Sequence, residues 1–325
     1  MQAIVAESPE QLVWRDVPDV SPDHGEILIK VAAAGLNRAD LLQAAGHYPP
    51  PPGASQTLGM EVSGTVAALG GGTVELPIGQ EVCALLAGGG YAEYVAVPAG
   101  QVMPIPQGVS LVDAAGLPEV ACTVWSNLVM TAHLAPGQVL LIHGGASGIG
   151  THAIQVATAL GSRVAVTAGS AAKLELCREL GADIAINYND EDFVERIKRE
   201  TDGNGADVIF DIMGASYLDR NLDALALDGQ LVVIGMQGGV KGELNIGKLV
   251  GKRTRVIGTA LRGRHIGGAT GKKAIVHAVV DNVWPMIADG QVRPITGAVF
   301  PIEQAGDAHR LLSSGKVTGK VLLTV

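Results

Sequence analysis

One stretch constrains this chain more than any other: Val139-Leu-Leu-Ile-His-Gly-Gly-Ala-Ser-Gly-Ile-Gly150, followed by Thr151-His-Ala-Ile-Gln-Val-Ala. An apolar run of strand length enters a glycine cluster, and an amphipathic helical pattern leaves it. Gly145, Gly148 and Gly150 let the chain turn sharply and bring backbone N–H groups close to a pyrophosphate. Ala146, Ser147 and Ile149 complete the loop. The helix N-terminus that follows offers unpaired N–H donors and a partial positive charge. A glycine triplet alone is weak, but here it has the strand–loop–helix setting that a dinucleotide site requires.

The next strand selects the nucleotide. A carboxylate that binds an unphosphorylated ribose is expected about 20 residues beyond the loop. The chain there reads Thr167-Ala-Gly-Ser-Ala-Ala-Lys173 and has no carboxylate. A hydroxyl at Ser170 and an ammonium at Lys173, one helical turn on, suit a 2′-phosphate, which points to NADPH rather than NADH. Ser170 also reads as an ordinary helix N-cap, and a cap can serve both purposes.

The glycine loop lies within a longer alternation. From about 118 to 260, short apolar strands are expected at 139–142, 164–167, 184–187, 208–210, 231–234 and 256–257. Helical stretches are expected at 150–160, 171–180, 190–200 and 216–225, with a short piece near 246–250. Nearly continuous apolar strands suit a parallel sheet covered on both faces. Residues 1 to about 117 have a different texture, with strand-like stretches at 27–32 and 61–69 broken by Pro and Gly. The run Pro49-Pro50-Pro51-Pro52-Gly53 can be neither helix nor central strand. The last stretch, from 261, predicts a helix at 272–288, a strand at 298–301, a helix at 302–313 and a final strand at 320–325 that completes the first domain. At 325 residues, two domains are the default. The expected division is 1–117 with 261–325, and 118–260.

Several partners are disfavoured. A net charge of −9 argues against nucleic acid. The nearest basic cluster is Lys248, Lys252, Arg253, Arg255, Arg262 and Arg264, read either as a solvated helix face or as neighbours of an anionic cofactor. Cys83, Cys122 and Cys177 are far apart and have no zinc-site spacing. No apolar run reaches the ~20 residues that a membrane span needs, and no signal peptide is visible. A cytoplasmic protein without membrane partners is expected. His143, Trp125 and Trp284 read as packing residues, and Tyr91 and Tyr94 as members of a strand face. Asp40 reads as a helix cap or a partner of Arg38.

The motifs also support a resemblance. Gly35-Leu-Asn-Arg-Ala-Asp40-Leu-Leu-Gln, Gly46-His-Tyr48-Pro-Pro-Pro-Pro-Gly-Ala-Ser, Leu58-Gly-Met-Glu61-Val-Ser-Gly, the glycine loop, Thr167-Ala-Gly-Ser170 with Lys173, and Thr318-Gly-Lys320 span nearly the whole chain. It resembles the zinc-independent quinone oxidoreductases of the medium-chain dehydrogenase/reductase superfamily. The resemblance implies an α/β fold: a GroES-like, β-rich catalytic domain built from both chain ends, plus a Rossmann doubly wound parallel sheet. It implies NADPH as donor and a small-molecule quinone as acceptor.

By the same resemblance, Gly169, Ser170, Lys173 and Tyr188 would hold the 2′-phosphate end. Thr123 and Asn37 would lie near the nicotinamide, and Gly235 and Met236 beside the ring. Lys320 and the chain around Leu261 would close over the cofactor, and Tyr48 would face the quinone. Asn37 can bond a cofactor amide or a substrate oxygen, or merely form a turn. Tyr48 is either an acceptor contact or an aromatic packed under its loop. Zinc-dependent relatives carry a Cys where Asn37 stands and a Gly-His-Glu where Gly59-Met60-Glu61 stands, so no catalytic metal is implied. A quinone is already electron-poor, and positioning supplies much of its activation. Reduction of an activated C=C bond in an enone or enoyl thioester is the alternative. A cofactor-binding protein with little turnover is a second one. Relatives pair through the edge strand near Val256 and Ile257, so a homodimer is expected, with a tetramer as the larger alternative.

Overall fold

The structure is a computed structural model that describes residues 1–73 and 76–325. It divides into two units. One comprises Met1–Cys122, Leu261–Gly290 and Pro294–Val325, and the other Thr123–Ala260 with Gln291–Arg293.

In chain order, β1 (Gln2–Ser8), β2 (Gln11–Asp16), β3 (Glu26–Gly35), α1 (Arg38–Ala44), β4 (Glu61–Leu69), β5 (Glu81–Leu85), β6 (Tyr94–Pro98), β7 (Val102–Pro104), α2 (Leu111–Ala114) and α3 (Pro118–Val124) come first. Next are β8 (Val139–His143), α4 (Gly148–Ala159), β9 (Arg163–Ala168), α5 (Ala171–Glu179), β10 (Ile184–Asn187), α6 (Phe193–Glu200), β11 (Ala206–Asp211), α7 (Leu218–Ala224), β12 (Leu225–Val233), α8 (Ile246–Lys252) and β13 (Arg255–Gly258). The chain ends with α9 (Lys272–Ala288), β14 (Thr296–Pro301), α10 (Ala305–Ser313) and β15 (Lys320–Thr324).

In the first unit, the described residues form a sheet in the order β14-β15-β3-β4-β5-β7, with β6 also on β3. Strand β3 is central because alternate residues, Ile27, Ile29 and Val31, point into one apolar core with Val62, Val66, Val82 and Val95. The final strand β15 pairs antiparallel with β3, Leu323 opposite Ala34, and adds Val321 and Leu323 to that core. The β1–β2 hairpin is a separate two-stranded ribbon that bridges to Ala92 through Ala3 and buries Ile4 and Leu12 in the same core.

In the second unit, the described strands form a parallel sheet in the order β10-β9-β8-β11-β12-β13. This is the doubly wound order, with β8 beside the point where strand order reverses. Leu141, Ala165, Ile184, Ile209 and Leu231 from the strands bury against Phe193, Ile197 and Leu222 from the helices. Local chemistry sets the helix starts. The side chains of Ser147, Ser170, Asp192 and Asn245 accept from amides of the first turns of α4, α5, α6 and α8.

Three features depart from the sequence expectations. Helix α3 was not foreseen, although Pro118 at its first position is a start signal. It runs into a π-helical turn, Trp125–Val129, in which Met130 N–H donates to Trp125 O at 3.1 Å. The basic cluster is dispersed rather than gathered on one face. Lys248 pairs with Asp219 and Asp223, and Arg253 pairs with Asp228. Lys252 donates to the Leu222, Asp223 and Leu225 carbonyls, which completes the end of α7. Tyr91 is fully buried outside the named strands, with its hydroxyl 3.3 Å from His309 Nε2. Among the described residues, no helix is long and apolar enough to cross a membrane.

Packing explains the buried histidines. His143 lies between Thr167 Oγ1 (3.1 Å) and Asn221 Oδ1 (2.8 Å), edge-on to Phe193 and Tyr217. Burial lowers His143, His152 and His309 from 6.5 to about 4. Each therefore binds a proton in the unfolded chain at a higher pH than in the folded one. Their stabilisation is full above 6.5 and is lost as pH falls toward 4. Asp40 acts oppositely and more weakly, because burial raises it from 3.8 to about 6. Urea unfolding should show lower stability at pH 5.0 than at pH 7.5, by roughly 1–2 kcal/mol per histidine. An equal or higher midpoint at pH 5.0 would contradict this assignment.

Candidate active site

In the second unit, the loop between β8 and α4 is held by its neighbour strand. The N–H groups of Gly144 and Gly145 both donate to Thr167 O, at 3.1 and 3.0 Å. The left-handed turn falls on Gly144 (φ 75°), one residue before the glycines that the motif singled out. Gly150 is required for another reason. A Cβ there would collide with the carbonyl oxygens of Gly144 and Gly145. Ser147 caps α4 by accepting from Gly150 N–H at 3.0 Å, and its hydroxyl donates to Gly144 O at 2.7 Å. The first amides of α4, at Gly148 and Ile149, have no helical acceptor and face out of the helix end. Ala146 is buried beneath the loop.

The neighbouring loops gather a second group. Ser170 caps α5 by accepting from Lys173 N–H at 3.4 Å. The Tyr188 hydroxyl lies directly over Gly169, where no side chain could fit, and Tyr188 is half exposed. Asn189 Nδ2 donates to Gly169 O at 3.0 Å and ties the loop after β10 to the loop after β9. Asn189 was not foreseen, because no motif marks a side chain whose task is to bridge two loops. Elsewhere in the unit, Thr123 is buried and its carbonyl accepts from Asn127 Nδ2 at 2.8 Å. Gly235 presses on the Ile212 backbone, and Met236 is exposed.

The first unit contains a buried charged cluster. Glu61 is inaccessible to solvent and Lys320 nearly so. Lys320 Nζ donates to Glu61 Oε1 (2.5 Å), Leu36 O (2.8 Å) and Asn37 Oδ1 (2.9 Å), which uses all three of its hydrogens. Glu61 Oε1 also accepts from Asn37 Nδ2 (2.9 Å), and Oε2 accepts from Glu119 N–H (2.9 Å). The Asn37 amide is thus oriented by a cation at its oxygen and an anion at its nitrogen. Its second Nδ2 hydrogen has no acceptor among the described residues, and Asn37 is partly exposed. Gly35 leaves the space that Glu61 fills, since a Cβ there would overlap the carboxylate.

Asp40 bonds neither Arg38 nor solvent. Its carboxylate accepts from Asn37 N–H (2.8 Å) and Gly59 N–H (3.0 Å).

Tyr48 and its proline loop are anchored by Arg262. The guanidinium donates to Ala87 O (2.8 Å), Tyr48 O (3.2 Å) and Gln43 Oε1 (2.6 Å), and lies 5.2 Å from the Tyr48 ring centroid. Arg262 is 4% exposed, so the solvated face expected for it is not what it forms. Burial raises the Tyr48 phenol, Glu119 adds to the shift, and Arg262 opposes it. Leu261 is buried beside it in sequence. Among the described residues, no group of three His, Cys, Asp or Glu side chains could hold a metal ion.

Comparisons with known proteins agree with this architecture. Residues 23–107 match the alcohol dehydrogenase GroES-like domain, and residues 148–273 match the zinc-binding dehydrogenase family. Quinone oxidoreductase of Rattus norvegicus is 30% identical over 319 residues, covering 97% of this chain and 94% of its own. Mycocerosic acid synthase-like polyketide synthase of Mycobacterium tuberculosis is 29% identical over 308 residues, or 94% of this chain, which spans only 14% of the synthase. Among solved structures, Escherichia coli quinone oxidoreductase complexed with NADPH superimposes with a TM-score of 0.88 at 29% identity, over 100% of this chain and 99% of that one. CurK enoyl reductase does so at 0.87 and 26%, over 99% and 98%. A GroES-like β domain joined to a doubly wound nucleotide-binding sheet is the architecture of the medium-chain dehydrogenase/reductases. Within that superfamily, the chain belongs to the zinc-independent quinone oxidoreductases.

The buried pair yields a stability test. Lys320→Met strands the Glu61 carboxylate and should cost about 3–5 kcal/mol in urea unfolding. Glu61→Gln combined with Lys320→Met should recover much of that loss. A double variant as unstable as the single one would show that the charge pairing is not what matters there.

Proposed function

We propose that this protein reduces a quinone with NADPH. The observation that carries the reading is the Asn37 amide, fixed by Glu61 and Lys320 so that one N–H is left to donate. A quinone carbonyl oxygen is a suitable acceptor. That N–H becomes a better donor while Lys320 polarises the amide oxygen, and it strengthens as negative charge builds on the substrate oxygen. Tyr48, stiffly presented by its prolines and by Arg262, offers a flat face to a flat acceptor.

The residues present fit NADPH. The cradle at Gly150 has no room for a side chain, and Ser170, Lys173 and Tyr188 form a hydroxyl–ammonium–phenol set suited to a 2′-phosphate. When bound, NADPH supplies the hydride. The amides of Ala146, Gly148 and Ile149 would hold the pyrophosphate with the α4 dipole. In the second unit Thr123, Gly235 and Met236 would line the nicotinamide end; in the first, Leu261 would be a further cofactor residue and Lys320 would contribute its charge through Asn37.

A second reading keeps the same donor and exchanges the acceptor. The likeness to CurK enoyl reductase supports reduction of an enone or enoyl thioester, whose carbonyl could take the same Asn37 hydrogen. For assembly, we propose a homodimer. Strand β13 is an open sheet edge, and Ile246, Val250 and Val256 near it are exposed. Sedimentation at micromolar protein should give twice the chain mass.

Two assays test the activity. NADPH oxidation with 1,4-benzoquinone or 9,10-phenanthrenequinone should exceed that with a 2-enoyl-CoA, and the reverse order would favour the second reading. Lys173→Glu should lower the preference for NADPH over NADH by about tenfold or more, since a charge-assisted bond to phosphate is worth about 1.5–3 kcal/mol. An unchanged ratio would remove Lys173 from the nucleotide site.

A further inference from the structure

Asp40 lies in the first turn of α1 and is inaccessible to solvent. Its two oxygens serve two separate segments of the first unit. Oδ2 accepts from the Asn37 backbone N–H, and Oδ1 accepts from the Gly59 backbone N–H. Asn37 stands at the start of α1, and Gly59 stands two residues before Glu61, the first residue of β4. One carboxylate therefore joins the two segments whose side chains meet at the Asn37 Nδ2–Glu61 Oε1 bond. The Gly59 end is the firmly framed one. Its left-handed turn (φ 98°) is so close to the Tyr91 ring and the Gly90 backbone that a Cβ would collide with both. Gly90 N–H donates to Gly59 O at 3.0 Å, and the carbonyls of Leu58 and Met60 accept from Tyr91 and Leu86 N–H at 2.9 and 2.7 Å. Asp40 carries that fixity across to Asn37.

Only an ionised carboxylate suits this task. It accepts at both oxygens, whereas an amide in its place would turn an N–H toward one of the two donors. A helix cap alone would need only the bond to Asn37. The charged and titratable groups around Asp40 are Glu61 on β4, Lys320 on β15, Arg262, and Tyr91, whose hydroxyl meets His309 of α10. Burial pushes the Asp40 carboxyl up to about 6, with its two N–H bonds and Lys320 opposing the shift and Glu61 adding to it. Burial moves Tyr91 well above its usual range and His309 down to about 4, so neither changes charge near pH 6. Below pH 6, Asp40 takes a proton onto an oxygen that is needed as an acceptor.

We propose that Asp40 is a positioning residue for the reaction: by holding the Asn37 and Gly59 backbone N–H groups on its two oxygens, it sets the spacing at which Asn37 meets Glu61, and its ionised form is the working one. This rests on the reading of Asn37 given above. Asp40 touches neither substrate nor cofactor. It acts through Asn37, whose free hydrogen is aimed only while the backbone beneath it stays in register with Glu61. Lys320 and Glu61 orient the Asn37 amide, and Asp40 places the backbone that carries it.

The test is a double-variant cycle on the full chain, with saturating NADPH and 1,4-benzoquinone as acceptor. Asp40→Asn should lower kcat by about tenfold or more at pH 7.5, the worth of one charge-assisted hydrogen bond, with NADPH affinity unchanged. Added to Asn37→Ala, the same substitution should cost less than about twofold more, because its effect passes through Asn37. A purely structural role would cost as much in both backgrounds. Wild-type kcat should fall as pH drops below about 6, and that limb should be absent from Asn37→Ala. Wild-type kcat in Asp40→Asn, equal losses in both backgrounds, or a limb that survives in Asn37→Ala would overturn the proposal. A second measurement needs neither turnover nor a variant. The backbone amide protons of Asn37 and Gly59, followed by NMR in the wild-type protein, should shift together with a midpoint near pH 6. Amides that do not respond in a protein that reduces quinone would overturn the role of Asp40 and leave the quinone reading standing. Amides that respond in a protein that reduces no quinone would overturn that reading and leave the Asp40 bridge in place.

Discussion

The Glu61–Lys320 pair is the constraint on which the first unit depends. Its partners are 259 positions apart, one on β4 and one on β15, so it closes the unit across nearly the full length of the chain. Removing two charges from water is expensive, and such a pair survives only when the remaining donors and acceptors are satisfied. Here they are. Lys320 uses three hydrogens, and both Glu61 oxygens accept. The orientation of Asn37 follows from this arrangement. An amide held at both ends by full charges cannot flip without losing both bonds, so its spare hydrogen keeps a fixed direction. A flexible surface asparagine would have to be ordered by each substrate anew.

The second unit reaches preorganisation by a different route. Its loop relies on backbone geometry, with two amides hung on one carbonyl, a serine cap and a glycine that no other residue can replace. Few side-chain charges are involved, which suits a site whose ligand brings its own charge. Lys173, which we propose as the selective charge, is carried by a helix that Ser170 starts. On that proposal, general anion recognition belongs to the backbone and discrimination to the side chains.

How much of this could be read from the residues divides along the same line. The doubly wound sheet was legible because each strand is a short apolar run beside a helical pattern, and the glycine loop because its spacing is rigidly tied to geometry. The absence of a carboxylate around Ser170 and Lys173 was legible too. The clustering of Asn37, Glu61 and Lys320 was not, since no local pattern joins positions so far apart. Resemblance supplied the three names without the bonds between them. Arg262 looked like one member of a basic surface cluster, because side-chain burial is set by tertiary packing around the Tyr48 loop. Helix α3 was missed because its residues continue into a π-turn that breaks the usual period.

The central claim is that Asn37, oriented by the buried pair, holds the oxygen of a quinone. A crystal structure of the NADP⁺ complex soaked with 1,4-benzoquinone tests it most directly. The account predicts a quinone oxygen within hydrogen-bonding distance of Asn37 Nδ2, with the Glu61 and Lys320 bonds to that amide intact. A quinone bound elsewhere, with Asn37 bonded only to its protein partners, would contradict it.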